Sequence, residues 1–153
     1  RGVAFAPLLG LSEFRRDALA CALHAYYVSR AYPHAEISFS CPRLRPAAGA
    51  VTPNGPHVSE AQLLQVICAY RLFMPFAGVT VSSRESARFR DHVATITATK
   101  VSAGVSTGIG EHAHQAEEGD DQFEIDDSRS LAEMCAAMRD MGLEPVMNDH
   151  VLV

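Results

Sequence analysis

The feature that most narrows what this chain can fold into is a repeated rhythm. Short β-branched or apolar runs are each followed by a longer amphipathic stretch. Val3-Ala4-Phe5-Ala6 reads as the tail of a strand, and a helix follows from Ser12, its N-cap, to about Tyr32, stopped by Pro33. Phe14, Leu19, Ala22, Leu23, Tyr26 and Tyr27 supply the apolar face predicted for that helix. Glu36–Cys41 alternates as a strand should, and a Gly/Pro-rich loop runs on to about Val58. Ser59 caps a second helix to about Phe73, and Val79-Thr80-Val81 is a second β-branched strand. Ser82-Ser83-Arg84-Glu85 fits a capping box, with Ser82 as cap and Glu85 reaching back, for a helix to about Val93. Ala98–Ser102 is a third strand. A glycine-rich loop (103–110), an acidic His-containing segment to Asp121 and a short extended piece (122–125) come next. Asp127 or Ser128 caps a last helix to about Met141, which Gly142 and Pro145 terminate, and 143–147 is a candidate terminal strand.

Strands alternating with helices mean a parallel sheet with helical crossovers. The predicted fold is therefore α/β, and the unit length suits either a barrel or an open doubly wound sheet. Read as a barrel, the chain is a partial (β/α) barrel holding about four βα units, whereas closing the ring takes eight. Either more chain precedes Arg1 or the open strand edges are covered by dimerisation. The start, Arg1-Gly2-Val3-Ala4-Phe5, has no Met and no signal-peptide layout, so it reads as the interior of a longer protein.

With 48% apolar and 20% charged residues, the composition is that of a soluble globular protein and excludes disorder. No run is long enough to span a membrane. The formal charge of −5 argues against nucleic acid as a partner, and a cytoplasmic protein is expected. The four cysteines form no C-x-x-C pair. Cys21, Cys68 and Cys135 read as small buried hydrophobes, while Cys41 ends a strand beside a candidate site.

In a barrel, function gathers where strands end and loops begin. Three such places are polar here. In Ser38-Phe39-Ser40-Cys41-Pro42-Arg43-Leu44-Arg45-Pro46, alternation puts Ser38 and Ser40 on one side of the strand, with Arg43 and Arg45 just beyond. A guanidinium fork binds a carboxylate through two parallel hydrogen bonds, so a carboxylate clamp is one reading. An arginine paired with an acidic residue of a missing half is the other. Ser82, Ser83 and Arg84 are candidates for polar contacts, against the plain reading of a helix cap. In Ser102-Ala103-Gly104-Val105-Ser106, glycine lets the backbone approach a ligand, so Ser102, Gly104 and Ser106 are candidate contacts, against the reading of a flexible surface loop. His112 and His114, near Glu117 and Glu118, have metal-ligand side chains, but their segment reads as a solvated loop.

Taken together, three of these segments resemble the radical S-adenosylmethionine aromatic amino-acid lyases. Ser40-Cys41-Pro42-Arg43-Leu44-Arg45-Pro46 resembles that family's S-x-P-R-L-R-P stretch. Arg71-Leu72 to Pro75, Ser82 to Glu85 and Phe89-Arg90-Asp91 are similar to its R-L-x-x-P, S-T-R-E and F-R-D. Ser102-Ala103-Gly104-Val105-Ser106 matches its S-A-G-S strand end in all but one place, and Gln122–Asp127 and Gly142–Val146 resemble its C-terminal tail. The likeness runs in order along nearly the whole chain.

The resemblance implies an enzyme in which a [4Fe–4S] cluster cleaves S-adenosylmethionine. The resulting radical breaks the Cα–Cβ bond of tyrosine, giving dehydroglycine and p-cresol. It implies that Arg43, with Ser38, Ser40 or Ser102, holds the tyrosine carboxylate, and that Ser82, Ser83 and Arg84 line the same cavity. The cluster motif C-x-x-x-C-x-x-C is absent. The expectation is therefore a substrate-side half that is inactive alone and binds neither cofactor. Its partners would be the missing N-terminal half-barrel and, in the thiamine branch, a thiazole-forming enzyme. The [FeFe]-hydrogenase maturation branch carries an extra C-terminal cysteine cluster, and no cysteine follows Cys135 here, which favours the thiamine branch. A non-catalytic half-barrel that binds a ligand or partner is the alternative from another class.

Overall fold

The computed structural model describes residues 2–44, 57–105 and 125–147. It contains β1 (Gly2–Phe5), α1 (Phe14–Ala31), β2 (Glu36–Ser40), α2 (Glu60–Phe73), β3 (Gly78–Val81), α3 (Ala87–Ile96), β4 (Lys100–Val101) and α4 (Leu131–Asp140). The four strands form one parallel sheet in the order β1-β2-β3-β4. Crossovers between parallel strands are right-handed, so a sheet that grows in one direction carries its crossover helices on one face. The core agrees: Phe5, Ile37, Phe39, Val79 and Val81 of the strands are buried in one cluster with residues of α1, α2 and α3. The expected α/β fold with parallel strands is what the chain adopts.

Strand register follows from that burial. Phe5, Phe39 and Val79 form one row, and Val81 pairs with Val101. Tyr70 of α2 stacks on Phe39 at 4.2 Å between ring centroids and donates its hydroxyl to the Ala18 carbonyl at 3.0 Å, joining α2, the sheet and α1.

Several local expectations are corrected. Glu13, not Ser12, caps α1: its carboxylate accepts from the Arg16 amide at 2.8 Å, while the Ser12 hydroxyl donates to Asp17. The buried face of α1 is Phe14, Ala18, Ala22 and Ala25, and Leu19 and Tyr27 are 60% and 66% exposed. Close packing of a helix on a sheet favours small residues at the contact line, with larger ones on its flanks. The Ser59 cap of α2 stands, as a full capping box with Gln62. Helix α3 begins one turn later than predicted, capped by Ser86, and Ser130 with Glu133 forms the capping box of α4. Gly142 ends α4 with φ at 78°, as predicted. Residues 143–146 are not a strand. Among the described residues, no helix is long and apolar enough to cross a membrane.

Candidate functional site

The parallel order brings the C-terminal tips of β2, β3 and β4 to one edge of the sheet. Alternation sends Ile37 and Phe39 into the core, so Ser38 and Ser40, both half-buried, lie on the opposite face. Ser38 is flanked there by Ala4 and Gly78, and Ser40 by Thr80, which in turn neighbours Lys100. A Cβ at position 78 would lie 3.2 Å from that of Ser38, so glycine keeps this row open. The two serines share the face of the sheet opposite the core that the described residues form. Thr80 and Lys100 join them, and the alternation of Val79-Thr80-Val81 was the signal for Thr80.

Beyond β2, the guanidinium of Arg43 is taken up inside the chain. Its Nε donates to Glu85 Oε1 at 3.1 Å, its Nη2 to Glu85 Oε2, and its Nη1 to the Val58 carbonyl at 2.8 Å. The pair is 11% and 5% exposed. The acidic partner expected from a missing half is thus Glu85 of this chain, and Glu85 is not the reciprocal capping residue expected for α3. The turn at Ser82-Ser83-Arg84 explains the shift: the Ser82 hydroxyl accepts from the Arg84 amide at 3.2 Å, so Ser82 serves the strand tip and not a helix.

The tips of β3 and β4 are also joined directly. The Ser83 amide donates to the Ser102 hydroxyl at 2.9 Å, and the Ser102 amide to the Val81 carbonyl at 3.3 Å. Gly104, at φ 60°, donates its amide to the Arg129 carbonyl at 3.1 Å. Arg84 borders a narrow cleft with Ser40, Thr80, Ser82 and Glu85. Ser38, Ser40, Ser82, Ser83, Arg84, Ser102 and Gly104 therefore cluster at or near one sheet edge. Arg45, Ser106, His112 and His114 lie outside the described residues.

Sequence reasoning missed a buried charge cluster behind this edge. Arg90, with no exposed surface, donates to Asp127 and to the Ser102 carbonyl. Arg129 reaches Asp127 at 2.6 Å and grips Asp91 with two bonds of 2.8 and 3.2 Å. Hydrogen bonds from Arg129 hold the Asp127 carboxyl down at about 2. The available signal was the pairing of Phe89-Arg90-Asp91 with the D-x-R of Asp127 to Arg129.

The cleft at the tips measures about 20 Å³, room for a water and not for an amino acid. A larger groove of about 580 Å³ lies beside β4, between Val101, Ala103, Leu131, Met134, Met138 and Pro145, with no serine in its lining. It is the bigger space, but the chemistry sits at the tips. All four cysteines are free, on separate elements, and burial pushes the Cys41 thiol up to about 12. Among the described residues, no three His, Cys, Asp or Glu side chains are grouped to hold a metal. These residues do not fit an iron–sulfur cluster.

Over 148 residues, 96% of the chain, it is 37% identical to 2-iminoacetate synthase of Salmonella typhimurium and 36% identical to that of Escherichia coli. It spans 39% of the length of these curated relatives. Its fold is similar to that of HydG, a maturase of the [FeFe]-hydrogenase, with a TM-score of 0.83 at 29% identity over 97% of this chain and 32% of that one. HydG from Carboxydothermus hydrogenoformans gives 0.76 at 28% identity over 93% and 32%. Residues 40–144 match the Biotin and Thiamin Synthesis associated domain, and this chain belongs to that family.

Proposed function

We propose that the chain is the substrate-side half of a radical S-adenosylmethionine tyrosine lyase. In this reading the complete protein cleaves the Cα–Cβ bond of tyrosine to dehydroglycine and p-cresol for the thiamine thiazole, and the chain alone is inactive. The observation that carries it is the similarity to two 2-iminoacetate synthases along 96% of the chain. The gathering of polar strand tips at one sheet edge supports it. The higher identity to these relatives than to HydG favours the thiamine branch over hydrogenase maturation.

The residues divide the work as follows. Ser38 and Ser40 face the cavity from β2. Ser82, Ser83, Arg84, Ser102 and Gly104 border it from the next two strands, and Arg45 and Ser106 are further substrate contacts. Arg43 holds the tyrosine carboxylate: a guanidinium has five N–H donors, and Glu85 and Val58 take three. The radical that starts the reaction comes from S-adenosylmethionine at a [4Fe–4S] cluster, both held by the other half of the barrel. The same half completes the cavity, since the cleft at the strand tips is only water-sized. A thiazole-forming enzyme takes the dehydroglycine, and the protein works in the cytoplasm.

The test is p-cresol release by the full-length protein after anaerobic reconstitution, with tyrosine, S-adenosylmethionine and a reductant. Release supports the reading. S-adenosylmethionine cleavage with no p-cresol overturns it.

A further inference from the structure

Two loops and one helix meet behind the site through charged groups hidden from water. Arg90 and Asp127 have side chains 0% and 1% exposed. Burying two charges is repaid only when geometry is good and the remaining polar atoms are satisfied, and an apolar pair of like volume is often as stable. Fold stability alone is therefore a weak reason for this cluster. Its hydrogen bonds point elsewhere: besides tying its own members to α3, the cluster is bonded to the tips of both β3 and β4. Arg90 holds the Ser102 carbonyl. The Asp126 and Asp127 amides donate to the Ser83 carbonyl at 3.1 and 3.0 Å, and Ser83 returns its amide to the Ser102 hydroxyl. The Arg129 carbonyl accepts from the Gly104 amide, while its guanidinium is fixed by Asp127 and Asp91. The two arginines and two aspartates balance in charge, so the cluster adds no net charge beside a charged substrate.

We infer that Arg90 and Asp127, steadied by Arg129 and Asp91, are positioning residues that set the spacing of the β3 and β4 tips and aim Ser83, Ser102 and Gly104 into the substrate cavity. None of the four touches substrate. The inference rests on the tyrosine-lyase reading for the identity of that substrate, but the geometry it describes does not. A tip displaced by about 1 Å costs an oriented reaction on the order of a hundredfold in rate. A protein merely made less stable loses activity in proportion to its unfolded fraction and keeps its KM.

The test uses the full-length protein carrying Arg90→Met with Asp127→Leu, which keeps volume and removes both charges, and Arg90→Lys, which keeps the charge but cannot bridge Asp127 and Ser102 together. Both variants are expected to raise the KM for tyrosine. Both should also lower p-cresol released per S-adenosylmethionine consumed, by up to about a hundredfold, at unchanged iron–sulfur absorbance. Hydrogen exchange at the Ser83, Ser102 and Gly104 amides should quicken in both, while Val79 and Tyr70 in the core keep their protection. Unchanged KM and coupling overturn the inference, as does unchanged exchange at the three tip amides. A wild-type protein that releases no p-cresol sinks the lyase reading, and the exchange comparison still decides the positioning role.

Discussion

The Arg43–Glu85 pair can be taken apart to show whether it is a strut, a clamp or both. The two side chains are 11% and 5% exposed, and the partners come from different βα units, 42 residues apart. Glu85→Ala leaves the guanidinium with the Val58 carbonyl as its one partner among those given above. Removing one member of a buried pair costs about 3–5 kcal/mol, and the small residual exposure puts this case at the lower end, about 3 kcal/mol. With a urea slope of about 2 kcal/mol per M, the unfolding midpoint should fall by about 1.5 M. Arg43→Met with Glu85→Leu removes both charges and should lie within about 1 kcal/mol of the wild type. Urea titration followed by circular dichroism measures both. A Glu85→Ala loss below about 1 kcal/mol, the worth of an exposed pair, would refute the reasoning. The double variant then separates the roles: as a strut only, it retains p-cresol release in the full-length protein. As a clamp, it folds and loses release, as Arg43→Ala does, with the cluster intact.

Phe39→Ala removes the ring that is 1% exposed and stacked on Tyr70, and should cost about 3–5 kcal/mol in the same titration. The acid limb of stability should be steeper in the wild type than in Asp127→Asn. Asp127 titrates at about 2 when folded, below its ordinary 3.8, so its contribution is complete above about pH 4 and is lost as pH falls through 2. Equal slopes of midpoint against pH between 4 and 2 in the two proteins would contradict this. The chain by itself, reconstituted with iron and sulfide under anaerobic conditions, should show no stable [4Fe–4S] absorbance near 400 nm; such a band would overturn the reading of its cysteines.

What the sequence disclosed and what it hid divide along the range of the interactions. β2, β3 and the Ser59 cap are written locally, in β-branched alternation and in a serine three residues before Gln62. The starts of α3 and α4 are not. Ser82 and Ser86 both offer capping hydroxyls one turn apart, and the choice falls to Ser86 because Glu85 is drawn to Arg43 across 42 residues. Asp127 makes a good cap in isolation, but Arg90, 37 residues earlier, claims its carboxylate, and Ser130 caps instead. The serines of the site were legible for a related reason: they break apolar alternation on one side of β2, which a single strand displays. The clamp role of Arg43 was readable only as a residue type, since its partner depends on how two units dock.

The same alternation separates the two architectures that the strand–helix rhythm left open. In a doubly wound sheet both faces are packed by helices, so its strands run apolar throughout. Here one face is Ile37, Phe39, Val79 and Val81, and the other is Ser38, Ser40, Thr80 and Lys100. Lys100 Nζ also comes within 3.8 Å of Glu36 Oε1 although β3 separates their strands, and Gly78, without a side chain, stands on that intervening strand. Helices laid on that second face would take serines, a threonine and an ion pair out of water, at a cost of about 1–3 kcal/mol for each group left unsatisfied. A sheet curved toward a polar interior leaves the same groups free to meet a polar substrate. The choice of residues on the face opposite the core therefore argues for a barrel wall over an open sheet, on grounds independent of the likeness to HydG.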